Sequence, residues 1–135
     1  MSGDTRLMWG ITLLTVPTII YGGLTVLGVV SGGRMGTPAP PDLTPLQAAF
    51  YRAGHAHAGV LMILSLLVQV ALDEAKLAPS WVWPLRVAAV ASVLLVSGGF
   101  FAAAHSAALR VLLYAGALIL SAVMLIVGIG LIGAR

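Results

Sequence analysis

The sequence predicts an all-α protein, a single domain over 1–135 folded as a bundle of four transmembrane helices. Two observations predict it. Of the 135 residues, 60% are hydrophobic and only 8% are charged, a balance foreign to water-soluble domains of this size. The apolar residues also gather into four runs, and each has the ~20 residues that a helix needs to cross ~30 Å of hydrocarbon.

The first run covers about 7–30 and contains Pro17 and the pair Gly22-Gly23. It is too long for a signal-peptide core and lacks a small-residue cleavage site, so a retained helix is expected. The connection over 31–46 holds Gly32-Gly33, Gly36 and four prolines. Such a segment cannot be regular helix, and it is expected to lie as a cap over the bundle. The second run covers about 48–72 and ends at Asp73-Glu74-Ala75-Lys76, read as a loop. The third, about 82–104, starts beside Trp81 and Trp83, which suit the membrane interface. The fourth covers about 108–132. Little chain remains outside these runs, and a bundle this small has little interior, which favours oligomerisation.

Several classes of function are excluded. The absence of cysteine removes disulfides, thiolate metal sites, iron–sulfur ligation and covalent haem attachment. The net charge of +3 comes from seven scattered basic residues that form no run, so nucleic acid is not an expected partner. Four spans put both termini on one side. That side carries Arg6, Lys76, Arg86 and Arg135, the other Arg34, Arg52 and Arg110. The excess predicts cytoplasmic termini in a bacterial inner membrane.

The candidate functional residues lie on the far side. The stretch Tyr51-Arg52-Ala53-Gly54-His55-Ala56-His57-Ala58-Gly59 opens the second helix, and His105 ends the third. All three histidines of the chain therefore fall in one outer layer. Ionisable groups at such depth are functional candidates, and imidazole is a frequent ligand of haem iron, zinc and copper. A step of two residues turns a helix by about 200°. His55 and His57 thus point to nearly opposite faces and cannot chelate one ion, but they can serve two sites. In a ring of identical subunits, each second helix can give one imidazole to the interface on either side. Gly54, Ala56, Ala58 and Gly59, with Gly98, Gly99 and Ala102 to Ala104 before His105, leave room for a flat ligand or for close helix packing. Arg52 and Arg110 lie in the same layer, suited to pair with ligand carboxylates or to snorkel to lipid phosphate.

These residues resemble two families. The four-helix pattern, with Gly54-His55-Ala56-His57 near the outer start of its second helix, is similar to one structural third of the haem-copper oxidase and nitric oxide reductase catalytic subunit. There an H-x-H pair ligates haems on its two sides, and a copper site draws on the outer end of a following helix, the place of His105. A more distant resemblance is to styrene oxide isomerase, a trimeric four-helix haem b protein. A Gly-rich and Pro-rich connection, then Arg52-Ala53-Gly54-His55-Ala56-His57-Ala58-Gly59, carries it, with His57-Ala58-Gly59 matching the iron ligand and its following glycine. The epoxide-holding asparagine of that family falls on Ile63, and its tyrosine falls near Gly99-Phe100-Phe101.

The resemblances imply a homotrimer with haem b at the subunit interfaces. With the H-x-H spacing, His55 of one subunit and His57 of the next are expected to ligate iron, Arg52, Arg110 and Gly59 to contribute to the cofactor site, and His105 to be able to hold a second metal such as copper. Electron transfer, or gas and redox chemistry, is the expected function, with an unidentified electron donor or small gaseous or apolar ligand as partner. The alternatives are an epoxide isomerase using ferric haem, a haem-free histidine–metal site, and a small transporter using Thr12, Thr15, Thr18, Tyr21, Thr25 and Gln69.

Overall fold

The computed structural model describes residues 1–36 and 42–135. It holds four long helices, each long and apolar enough to span a membrane, and no strand among the described residues: α1 (Gly3–Ser31), α2 (Pro45–Glu74), α3 (Pro79–Ala103) and α4 (Arg110–Ile132). A short 3-10 turn, Ala107–Leu109, leads into α4. The protein is therefore an integral membrane helix bundle. The cap expected of the 31–46 connection falls largely on residues 37–41, outside the described residues.

Polar caps carry α1 and α2 beyond their apolar runs, and a proline in the first turn does so for α3. Ser2 caps α1, its hydroxyl accepting from the Thr5 amide at 3.1 Å. Thr44 and Gln47 form a reciprocal capping box at the start of α2, with Pro45 in its first turn. Pro79 opens α3 in the same way. Asp73 and Glu74, expected in a loop, therefore belong to the last turn of α2. With 30 residues, α2 is about 45 Å long at 1.5 Å per residue, well over the ~30 Å hydrocarbon thickness. At the other end of α1, Gly32 takes a left-handed conformation (φ 61°), and the Gly33 amide donates to the Gly28 carbonyl at 2.9 Å. That closure favours glycine, since a Cβ is strained there.

The helices are not equal partners. The compact unit is α2–α3–α4, whose core is Val68, Leu72, Leu85, Ala89, Val123 and Val127. Glycines set its closest approaches. A Cβ on Gly99 would lie 2.6 Å from the Leu113 amide nitrogen, and one on Gly116 would lie 2.8 Å from that of Val96, so α3 and α4 meet backbone to backbone. The Lys76 amide donates to the Gly130 carbonyl at 2.9 Å and ties the α2–α3 connection across the end of α4. By contrast α1 packs chiefly along α2, and only 6% of its most apolar stretch is buried, against 44% for α3. Its outward side, including Leu14 and Ile20, is left for lipid or another chain.

The threonines that suggested a transport path are tied to their own helix. Thr12, Thr15, Thr18 and Thr25 donate to the carbonyls of Met8, Thr12, Thr15 and Tyr21. This is the usual way a membrane helix satisfies a hydroxyl.

Candidate functional site

Because α2 begins at Pro45, His55 and His57 lie ten and twelve residues into the helix. They sit about three turns in, deeper than the first turns expected for them. Successive positions rotate by about 100°. Arg52, Ala56, Val60 and Ile63 then form one exposed strip along α2, with Val60 67% and Ile63 63% exposed. The two imidazoles flank this strip, each about 100° from its middle. Gly59 borders the strip, and a Cβ built there would touch nothing within 4 Å. Gly54, on the far side, is a packing residue: its Cβ would come within 3.1 Å of Phe100, Phe101 and the Ser97 carbonyl. The small residues of this region are thus divided. Gly54 and Gly99 let helices touch, whereas Gly59 and Gly98 border open space.

His57 is exposed on one flank. Its Nδ1 lies 2.7 Å from the Ala53 carbonyl oxygen, and its ring packs 4.7 Å from that of Phe100. A carbonyl only accepts, so Nδ1 donates, and in the neutral form of the ring the lone pair lies on Nε2. That tautomer, with one nitrogen anchored to an oxygen, is the form in which histidine ligates metals. The ring opens on a groove of about 280 Å³ between α2, α3 and α4, lined by Leu61, Val96, Phe100, Leu113 and Ser121 among others. The Ser121 hydroxyl donates to the Ala117 carbonyl at 2.8 Å.

His55 is half-buried on the other flank, under α1. A Cβ on Gly23 would approach its Cε1 to 3.1 Å and its Nε2 to 3.2 Å, and one on Gly22 its Nδ1 to 3.7 Å. Gly23 therefore makes room for an imidazole, while Gly22 lies at ordinary contact distance from it. The ring has no hydrogen-bond partner among the described residues and lines a cleft of about 250 Å³ between α1, α2 and α3.

His105 stands apart from both. It is exposed just beyond α3, with Nε2 2.9 Å from the Tyr51 hydroxyl, and the two rings meet edge to face. Tyr51 also packs edge-on against Phe101 at 5.3 Å. Among the described residues no three His, Asp or Glu side chains gather as a metal set. The three histidines thus share an end of the bundle within a chain but not a site. Arg52 is exposed at the outer end of the strip, and Arg110 is exposed at the first turn of α4; neither makes an ion pair among the described residues.

The opposite end holds a cluster that the sequence pattern did not reveal. Arg86 is 2% exposed, with Nη2 2.6 Å from Asp73 Oδ1. Its Nη1 donates to Thr5 Oγ1 at 2.7 Å and to the Gln69 carbonyl at 2.9 Å, while Gln69 Nε2 returns a bond to the Arg86 carbonyl at 3.1 Å. The amide and hydroxyl of Ser2 close the cluster onto the Asp73 carboxylate at 2.8 and 2.7 Å. The cluster joins α1, α2 and α3, and its internal pairing gives it a structural character. The signal that could have found it was Gln69 and Asp73, four apart on α2, at the same depth as an arginine on the next helix. The chain matches no protein family, no characterised protein and no solved structure.

Proposed function

We propose that the protein is a haem b protein of the bacterial inner membrane, a homotrimer in which haem would be held between neighbouring copies with His57 as the residue that ligates iron. The observation that carries this reading is the bond from His57 Nδ1 to the Ala53 carbonyl, which occupies that nitrogen and leaves Nε2 as the one to ligate on an exposed, apolar flank of α2. The residues present fit the group. Ala56, Gly59 and Val60 give a smooth wall beside the imidazole, Phe100 fixes the ring from behind, and Arg52 stands at the outer end, where a propionate would need a cation. One chain leaves His57 exposed, so a second copy supplies the facing wall.

Haem held there would supply a one-electron couple or a coordination position for a small gaseous ligand. The His57 groove favours these uses over epoxide chemistry. Its one hydroxyl, that of Ser121, is bonded to its own helix, Ile63 is 63% exposed on the strip, and Phe100 carries no polar group. His55 is turned under α1 against its own chain, which favours His57 as the ligand each copy contributes. His105 is engaged by Tyr51, so a copper ion there forms no part of the proposal. Cytoplasmic termini belong to the same reading and are tested by thiol labelling of cysteines placed at Ser2 and Arg34.

The deciding experiment is purification after expression with ample haem, with absorbance and haem quantified per chain. A Soret band, lost in His57→Ala and restored by imidazole in His57→Gly, is the expected result. Colourless protein overturns the proposal. A low-spin six-coordinate spectrum that becomes high-spin in His55→Ala would assign the second axial position to His55 of the next copy.

A further inference from the structure

The cleft between α1, α2 and α3 lies on the flank of α2 away from His57, and the haem reading makes no use of it. Its volume is about 250 Å³, larger than the ~150 Å³ apolar cavity that suffices for benzene. The walls are apolar, with Ile19 from α1, Met62 from α2, and Leu94 and Phe101 from α3. Thioether and aromatic walls of this kind suit an aromatic ring. Two polar groups at the cleft lack a partner among the described residues. Ser97 lines it, is 7% exposed, and its hydroxyl has no hydrogen-bond partner among the described residues. The His55 ring also lacks a partner among the described residues. The other hydroxyls of the lining, Thr15 and Thr18, are tied to carbonyls of α1. A buried hydroxyl without a partner has lost its water and gained nothing in return, a cost that a ligand with a matching group would remove. An acyl chain fills apolar space but has nothing to offer Ser97 or His55.

We propose that this cleft binds a one- or two-ring aromatic molecule bearing a single hydroxyl or N–H group, which enters from the bilayer and meets the Ser97 hydroxyl and the His55 imidazole. Gly98 provides the means to test it. Gly98 lines the cleft, and a Cβ built there meets nothing within 4 Å, so a larger side chain grows into the cavity and not into a helix.

The test uses the full chain in lipid nanodiscs and a diazirine-bearing phenol as photolabel. Adducts are mapped by mass spectrometry, with 2-naphthol and naphthalene as competitors at matched membrane concentration. The expected result is labelling concentrated at the cleft, on peptides containing Thr15 to Gly22, His55 to Met62 and Leu94 to Phe101. 2-Naphthol should compete about tenfold better than naphthalene, the value of one hydrogen bond. Ser97→Ala should erase most of that difference. Gly98→Phe should abolish labelling while leaving haem per chain and elution volume unchanged. Labelling spread evenly over lipid-facing residues, equal competition by the two naphthalenes, or a tenfold difference that survives Ser97→Ala each overturns the proposal. If Gly98→Phe fails to fold, the Ser97→Ala competition decides alone. A colourless wild-type protein that still labels at the cleft would sink the haem reading and leave this one standing.

Discussion

Arg86 Nη2 lies 2.6 Å from Asp73 Oδ1, joining α3 to the last turn of α2 with Arg86 only 2% exposed. A guanidinium is not kept in so little water without a counter-charge, and here it also meets Thr5 and Gln69. Removing one member of a buried pair leaves the other uncompensated, which costs about 3–5 kcal/mol, whereas replacing both by apolar groups costs far less. Asp73 is 10% exposed, so water at the rim softens its share. We therefore expect Arg86→Leu and Asp73→Leu each to lower the unfolding temperature strongly, and the double variant to recover much of the loss. A double-variant cycle read by thermal unfolding in detergent checks this. Additive losses would mean the two groups do not act as a pair.

The glycines of α3 give another expectation because neighbours in sequence face different surroundings. A Cβ on Gly99 would stand 2.6 Å from the backbone of Leu113, which cannot move aside, while one on Gly98 meets nothing. Over-packing of this kind costs about 1–3 kcal/mol. Gly99→Ala should destabilise by that order and Gly98→Ala should not, with side-by-side melting curves as the measurement. Gly116→Ala should behave like Gly99→Ala.

These two examples mark how far the sequence could be read. The four apolar runs sufficed for the spans, because bilayer thickness fixes helix length. They misplaced helix ends by a few residues, because Ser2, Thr44 and the prolines at 45 and 79 cap with polar or neutral groups that an apolar run does not count. The two-residue histidine spacing puts His55 and His57 on different sides of α2, and the two rings line different clefts. The spacing could not reveal that Gly23 receives the first ring while the Ala53 carbonyl holds the other. Such contacts depend on which helix lies alongside, and periodicity alone does not choose neighbours. The same gap hid the cluster around Arg86, whose members come from three helices.

The fit of His55 under α1 yields a third prediction. Its Nε2 is 3.2 Å from the position of a Gly23 Cβ, so Gly23→Val must displace either the ring or α1. His57 lies on the other flank and is held by its own bond to Ala53. Gly23→Val should then raise the reactivity of His55 toward diethyl pyrocarbonate severalfold and leave haem per chain unchanged. Loss of haem in this variant would show that His55 takes part in ligation.

The last prediction concerns Tyr51 and His105, whose 2.9 Å hydrogen bond joins α2 to the end of α3. The bond is exposed, and hydrogen bonds of that kind contribute about 0.5–1.5 kcal/mol at most. Phe101 packs on the same tyrosine ring, so the phenyl part of Tyr51 is held even without the hydroxyl. Tyr51→Phe and His105→Ala should each cost little, and the double variant should cost no more than the larger single loss, since either change removes the same bond. Neither should alter bound metal, because His105 has no second ligand side chain beside it among the described residues. Metal analysis together with melting curves separates the outcomes. Copper that copurifies with the wild type and vanishes in His105→Ala would give this residue the metal role that its tyrosine partner argues against.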